Sequence, residues 1–155
     1  MDSVEHVRQY LRQFGAENRI IEFTVSSATV SLAAQALACE EGRIAKTLSF
    51  MADSQPVFIV AAGNRRIDNG RFKQYFGCKA KMMTAEQLAS LTGLHFGGVC
   101  PFALPDSIHV YLDQSLQSWD IVYPAAGNEA SAVRVTPDEL FRFSRAQAWI
   151  DVCKD

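Results

Sequence analysis

The run Pro56 to Ala62, Pro-Val-Phe-Ile-Val-Ala-Ala, carries no polar side chain. An unbroken apolar run of strand length is consistent with a central strand buried on both faces, because alternation disappears when neither face meets water. Such a strand needs covering layers, and a chain of 155 residues can bury a sizeable core without cross-links. Just before it, Ile44 to Met51 alternates: Ile44, Lys46, Leu48 and Phe50 share one face, and Ala45, Thr47, Ser49 and Met51 share the other. Lys46 therefore stands between Ile44 and Leu48 on the more apolar side, an unusual place for an ammonium. Either its stem carries the charge out at the strand end, or the charge projects into a cavity where it is used.

Helix signals surround these strands. Val4, Val7, Leu11 and Phe14 share one face of an opening helix, Asp2 to Phe14, which Asp2 and Glu5 cap and Gly15 stops. Ser31 to Cys39 reads as a small alanine-rich helix ending near Gly42. Asp68 caps a helix to Phe76 with Phe72, Tyr75 and Phe76 inward and Gly77 at its end. Thr84 with Gln87, and Thr136 with Glu139, form capping boxes for helices over Thr84–Thr92 and Pro137–Phe143, the second with proline in its first turn. Further strands are expected at Ile20–Thr24, Lys79–Met83, Ile108–Leu112, Asp120–Tyr123 and Ala132–Val135, with a short helix or tail over the last ten or so residues. The fold class that follows is α/β (mixed), one domain over 1–155 with a curled or barrel-like mixed sheet surrounded by helices.

No apolar run reaches the roughly 18 residues that a membrane span needs, and the start Met-Asp-Ser-Val-Glu-His has no basic region ahead of an apolar core. The four cysteines lie far apart with no histidine at metal spacing, so free thiols in a reducing cytoplasm, and no metal, are expected. A net charge of −2 excludes a protein that grips nucleic acid over its whole surface. The charge is uneven, however. Arg65, Arg66, Arg71, Lys73, Lys79 and Lys81 stand against Asp68 alone, which is either a solvated helix face with its flanking loops or a patch for a phosphate backbone.

Leu94 to Leu104 reads Leu-His-Phe-Gly-Gly-Val-Cys-Pro-Phe-Ala-Leu. It is either an ordinary Gly/Pro connection from helix to strand or a loop that aims several backbone N–H groups at one carbonyl or oxyanion. Phosphate-binding and dinucleotide-binding glycine motifs are absent, as is a nucleophile elbow. Cys100 has no clear paired base, which leaves it as pocket lining. His6, His95 and His109 are scattered and read as surface or turn residues.

Three features in order carry a resemblance: Arg43-Ile-Ala-Lys46-Thr-Leu, Gly97-Gly-Val-Cys-Pro101-Phe, and Asp113-x-Ser-Leu followed by Ala126-Gly-Asn128. Together they resemble the YbaK/ProX family of freestanding aminoacyl-tRNA deacylases, which is related to the editing domain inserted in bacterial prolyl-tRNA synthetase. The resemblance covers roughly residues 31–140. It implies a barrel-like mixed sheet and hydrolysis of the ester joining a wrong amino acid to tRNA, with no cofactor. It implies that Lys46, Gly98 and Val99 are catalytic. Phe23, Gly97, Cys100, Pro101, Phe102, Asp113, Gly127 and Asn128 would bind substrate, and the Arg65–Lys81 cations would bind tRNA. The implied partners are the acceptor end of mischarged aminoacyl-tRNA and an aminoacyl-tRNA synthetase, with no DNA and no membrane. Two positions depart from the pattern: Cys100 stands where relatives often have serine, and Phe23 falls near a position that is sometimes tyrosine. Two other readings are a non-catalytic amino-acid, nucleotide or tRNA-binding module on the same fold, and a small-molecule hydrolase using Cys100.

Overall fold

The computed structural model describes residues 2–155. Its strands are β1 (Ile20–Glu22), β2 (Ile44–Ala52), β3 (Gln55–Ala62), β4 (Arg66–Ile67) and β5 (His109–Asp113). Short strands follow at β6 (Tyr123–Pro124), β7 (Ser131–Val133), β8 (Ala148–Ile150) and β9 (Cys153–Lys154). The helices are α1 (Ser3–Leu11), α2 (Val30–Leu37), α3 (Asn69–Phe76), α4 (Ala85–Thr92) and α5 (Pro137–Phe143).

The main sheet runs β6-β2-β3-β5-β8, with β3 at its centre. β2 and β3 are antiparallel, from Ala45 opposite Ala62 to Ala52 opposite Gln55, while β6, β5 and β8 lie parallel to their inner neighbours. Val57 to Ala62 are all buried, and the two faces of β3 serve different cores. Phe58, Val60 and Ala62 pack with Val110, Leu112, Leu88 and Phe143; Val57, Ile59 and Ala61 pack with Phe50, Phe72 and Val152. This is the physical reason the strand shows no alternation. The sheet curls into a half-barrel with the five helices around it, and the ribbons β1-β7 and β4-β9 extend it.

The caps hold as their sequences require. Asp2 accepts from the Glu5 N–H at 2.8 Å, and both capping boxes close reciprocally. Gly77 and Gly93 end α3 and α4 in the left-handed region at φ 76° and 74°, where a side chain is strained.

Several expectations need correction. The C-terminal segment is neither helix nor tail: β8 extends the sheet beyond β5, and β9 pairs with β4. Strands of two or three residues carry too little alternation to be read in advance. Asp120–Tyr123 is not a strand; only Tyr123 and Pro124 pair with β2, and Val122 makes a single bridge to Val135. Lys79–Met83 likewise reduces to one bridge, Met82 to Phe50. α2 begins at Val30 under a Thr29 cap and stops at Ala38, short of Gly42. Tyr75 is exposed rather than inward, lying edge-on against Phe76 and Tyr111.

One ion pair fastens the sequence-distant ends of this frame. Arg19 donates to both carboxylate oxygens of Glu139, at 3.0 and 2.9 Å, and Glu139 also accepts from the Thr136 N–H. The guanidinium, first, and the backbone bond hold the Glu139 carboxyl down at about 2. A depressed carboxyl stabilises the fold above its ordinary pKa and loses that contribution as pH falls through the folded value. The melting temperature of the parent should therefore fall more steeply between about pH 4.5 and pH 2 than that of Glu139→Gln. Equal slopes in a thermal melt series would remove the pair from the account.

Candidate active site

β6 pairs with β2 only at Ile44 and Ala45, and the Met82 bridge meets it only at Phe50. Between these two contacts the outer edge of β2 has no partner strand among the described residues. Met51 donates to the Lys81 carbonyl and Ser49 accepts from the Met83 N–H, both at 2.9 Å, so the odd-numbered residues of β2 direct their backbone groups outward. A cavity of about 230 Å³ opens on this edge. Its walls come from Ser27 to Val30 leading into α2, from Ile44 to Ser49 of β2, from Phe96, Gly97 and Val99, and from Met82 and Ala125. Phe96 and Met82 are each 51% exposed and give the mouth an apolar rim.

Lys46 resolves between its two readings. Its half-buried stem walls the cavity, and its Nζ turns toward the β3–β4 connection, donating to the Gly63 carbonyl at 3.5 Å and to the Arg65 carbonyl. Burial pulls its pKa below the ordinary lysine value, with the nearby Cys153 opposing that shift. It is the only titratable side chain among the cavity-lining residues.

The glycine loop reaches the same cavity through Gly97 and Val99, fifty residues away in sequence from Lys46 and its neighbours. Gly97 has φ 92°. The Gly98 N–H is committed to the His95 carbonyl at 3.0 Å, so it is not available to a ligand as expected from sequence. Gly98 is needed for another reason: a Cβ there would sit 2.8 Å from the Asn128 backbone. Among the described residues, the N–H groups of Val99 and Cys100 find no backbone acceptor.

Other residues expected at the site lie elsewhere. The Cys100 thiol is fully buried in the main core and outside the cavity wall, as is the Phe102 ring; Pro101 is buried beside them. Burial pushes the Cys100 thiol up to about 12, so it is no nucleophile at neutral pH. Asp113 is 2% exposed and accepts from the N–H groups of Ser115 and Val152, both at 2.9 Å. It ties β5 to the C-terminal segment rather than facing the cavity. Phe23 is half-buried, donating through its backbone to Ala130. Gly127 and Asn128 back the glycine loop from the side of Gly98, with the Asn128 amide oxygen committed to the Ala130 N–H. Conversely, Thr47, Ser49, Met82 and the segment 27–30 were not legible as lining. Their only signal was a pair of hydroxyls within an alternating strand.

The basic cluster is divided. Arg65 pairs with Asp155, Arg66 donates to the Asp155 carbonyl, and Arg71 donates to Asp151 and the Cys153 carbonyl. Lys73, Lys79 and Lys81 are exposed and form no ion pair among the described residues. The same residues contain no group of three His, Cys, Asp or Glu able to hold a metal, and no helix long and apolar enough to cross a membrane.

Native-state alkylation separates these thiols. Iodoacetamide should label Cys39 and Cys78, which are half-exposed, and leave Cys100 unmodified until the protein is unfolded. Peptide mass spectrometry reads the result; rapid Cys100 labelling with loss of activity would restore it as a nucleophile.

The aminoacyl-tRNA editing domain family matches residues 24–143. The chain is 46% identical over 154 residues to the uncharacterized protein YwhH of Bacillus subtilis (strain 168), covering 99% of this chain and 98% of that one. It is 35% identical over 74 residues to a proline–tRNA ligase of Streptococcus uberis, spanning 47% of this chain but 12% of the ligase. Among solved structures, a candidate trans-editing enzyme for prolyl tRNA synthetase superposes with a TM-score of 0.90 at 29% identity, over 100% of this chain and 99% of the other.

Proposed function

The chain belongs to the aminoacyl-tRNA editing domain family and is YbaK/ProX-like; from that premise we propose that it hydrolyses, in trans, the ester bond of mischarged aminoacyl-tRNA. One observation carries this reading: Lys46 and the glycine loop wall a single cavity, on a strand edge with free backbone groups. Editing answers a selection problem, since a methylene or hydroxyl in an apolar pocket is worth only about 1–3 kcal/mol of discrimination. A second, hydrolytic site multiplies that factor.

In this mechanism the ester carbonyl rests against the N–H group of Val99, which lines the cavity and stabilises the oxyanion as water attacks. Such a donor contributes about 3 kcal/mol when aimed at the developing charge. Lys46, its ammonium held by the Gly63 and Arg65 carbonyls, anchors a terminal phosphate or positions the α-amino end with its water. No other titratable group lines the cavity, so water activation falls to the ribose hydroxyl of the substrate itself. The apolar rim of Phe96 and Met82 suits the terminal base, because base–aromatic stacking tolerates any base. On this reading the protein works in the cytoplasm, with the tRNA acceptor end as partner and a synthetase as a second.

Lys73, Lys79 and Lys81, exposed and without an ion pair among the described residues, supply the main phosphate contacts. A Lys79→Ala/Lys81→Ala double variant should bind tRNA more weakly and lower the salt slope of binding by about 2, with turnover at saturation retained. An unchanged slope in filter binding would move the tRNA to another face. The activity itself is tested by a deacylation screen across mischarged tRNAs. Salt-dependent tRNA binding without turnover of any ester would favour the non-catalytic binding module instead.

A further inference from the structure

Among the described residues, three side-chain polar atoms are buried without a hydrogen-bond partner: Glu17 Oε2, Thr47 Oγ1 and Ser49 Oγ. Two of the three lie on one face of β2, in residues that wall the cavity. Ser49 is 1% exposed, stands opposite the buried Phe58 in the ladder, and has its carbonyl engaged by Met83. Its neighbours on that face are Ala45, Thr47 and Met51, so an apolar side chain would satisfy packing. Buried hydroxyls without a protein partner are uncommon, and leaving them unpaired is costly. A ligand that brings a donor and an acceptor to the same point relieves both.

We propose that Ser49, with Thr47 beside it, reads a hydroxyl on the side chain of the bound aminoacyl group, making esters of serine and threonine the preferred substrates over those of alanine. The proposal rests on the deacylase reading and specifies its substrate class. The geometry sets which part of the ligand arrives there. With the ester held at the glycine loop and the terminal base on the Phe96 and Met82 rim, the amino-acid side chain is the part of the substrate left to reach β2. One hydroxyl can both donate and accept, which matches the capacity of the serine and threonine hydroxyls on the same face of β2. A methyl group at that point leaves both unsatisfied. A site built to bond a hydroxyl rejects the analogue lacking it far better than an apolar pocket rejects an added one.

The test uses two non-hydrolysable probes, 3′-deoxy-3′-(L-seryl)aminoadenosine and its L-alanyl counterpart, titrated by calorimetry into the intact protein. The seryl probe should bind the parent about tenfold tighter or more. In Ser49→Ala that ratio should fall toward one. Equal binding of the two probes by the parent, or preference for the alanyl probe, overturns the proposal. If Ser49→Ala does not fold, the parent ratio and the variant Thr47→Val decide in its place. Turnover of seryl- and alanyl-tRNA separates the two readings. A seryl preference in binding with no ester cleaved removes the hydrolase and keeps this assignment; equal cleavage of both esters does the reverse.

Discussion

Lys46→Met lowers kcat/KM for deacylation by about 100-fold while leaving the fold intact. Methionine keeps most of the stem that walls the cavity, so the loss isolates the ammonium from the packing. That ammonium donates to the Gly63 and Arg65 carbonyls, which aim it and leave little freedom to reposition. Its pKa is lowered by burial, and the protonated form prevails below that pKa. Activity that depends on the charge should therefore decline as pH rises through a value below the ordinary lysine range, and Lys46→Met should show no such decline. Lys46→Ala should lose at least as much, because it also enlarges the cavity. Steady-state rates on a mischarged tRNA, with the pH profile alongside, give the answer. A Lys46→Met rate within threefold of the parent would remove the amine from the chemistry.

Gly98→Ala should be nearly as damaging by a different route. Its Cβ would lie 2.8 Å from the Asn128 Cα and carbonyl carbon, backbone atoms that no rotamer change can move aside. Relief requires the glycine loop or the 127–128 turn to shift, and overpacking of this kind costs about 1–3 kcal/mol of stability. The amide of Val99, which lines the cavity, follows Gly98 directly, so it moves with it. Misplacing an oxyanion donor costs about 10²–10³ in kcat. Gly77→Ala is the control: Gly77 carries positive φ, which Gly98 does not, but has nothing within 4 Å of its would-be Cβ, and it ends α3 outside the cavity wall. Placing a side chain there costs about 1 kcal/mol with activity retained. If Gly98→Ala loses stability but keeps its kcat, the loop is only a connection.

How legible all this was in advance differs by element. α4 and α5 were readable to within a residue because their signals are local: a threonine cap, a partner three residues on, and a glycine or the helix face that follows. β3 was readable because its burial on both faces erased alternation. β8 and β9 were not, since their pairing partners lie far away in the chain and their own residues are too few to show a period. The site follows the same division. Lys46 and the glycine loop stood out as local anomalies, an ammonium on an apolar face and adjacent glycines before a proline. Ser49 did not, because a serine in a strand is ordinary until its neighbours are known to offer it no bond.

Residue order alone therefore determined the helices, the central strand and the two odd stretches that the cavity joins, since each is written in contacts of a few residues. Only the tertiary structure decided which atoms of those stretches are free. It turned the Gly98 amide to His95 and the Cys100 thiol into the core, and it spent three arginines of the basic cluster on the C-terminal segment. Each N–H hydrogen serves essentially one acceptor: an N–H given to a partner far along the chain is not open to a ligand. That partner is chosen by the fold, not by the local sequence.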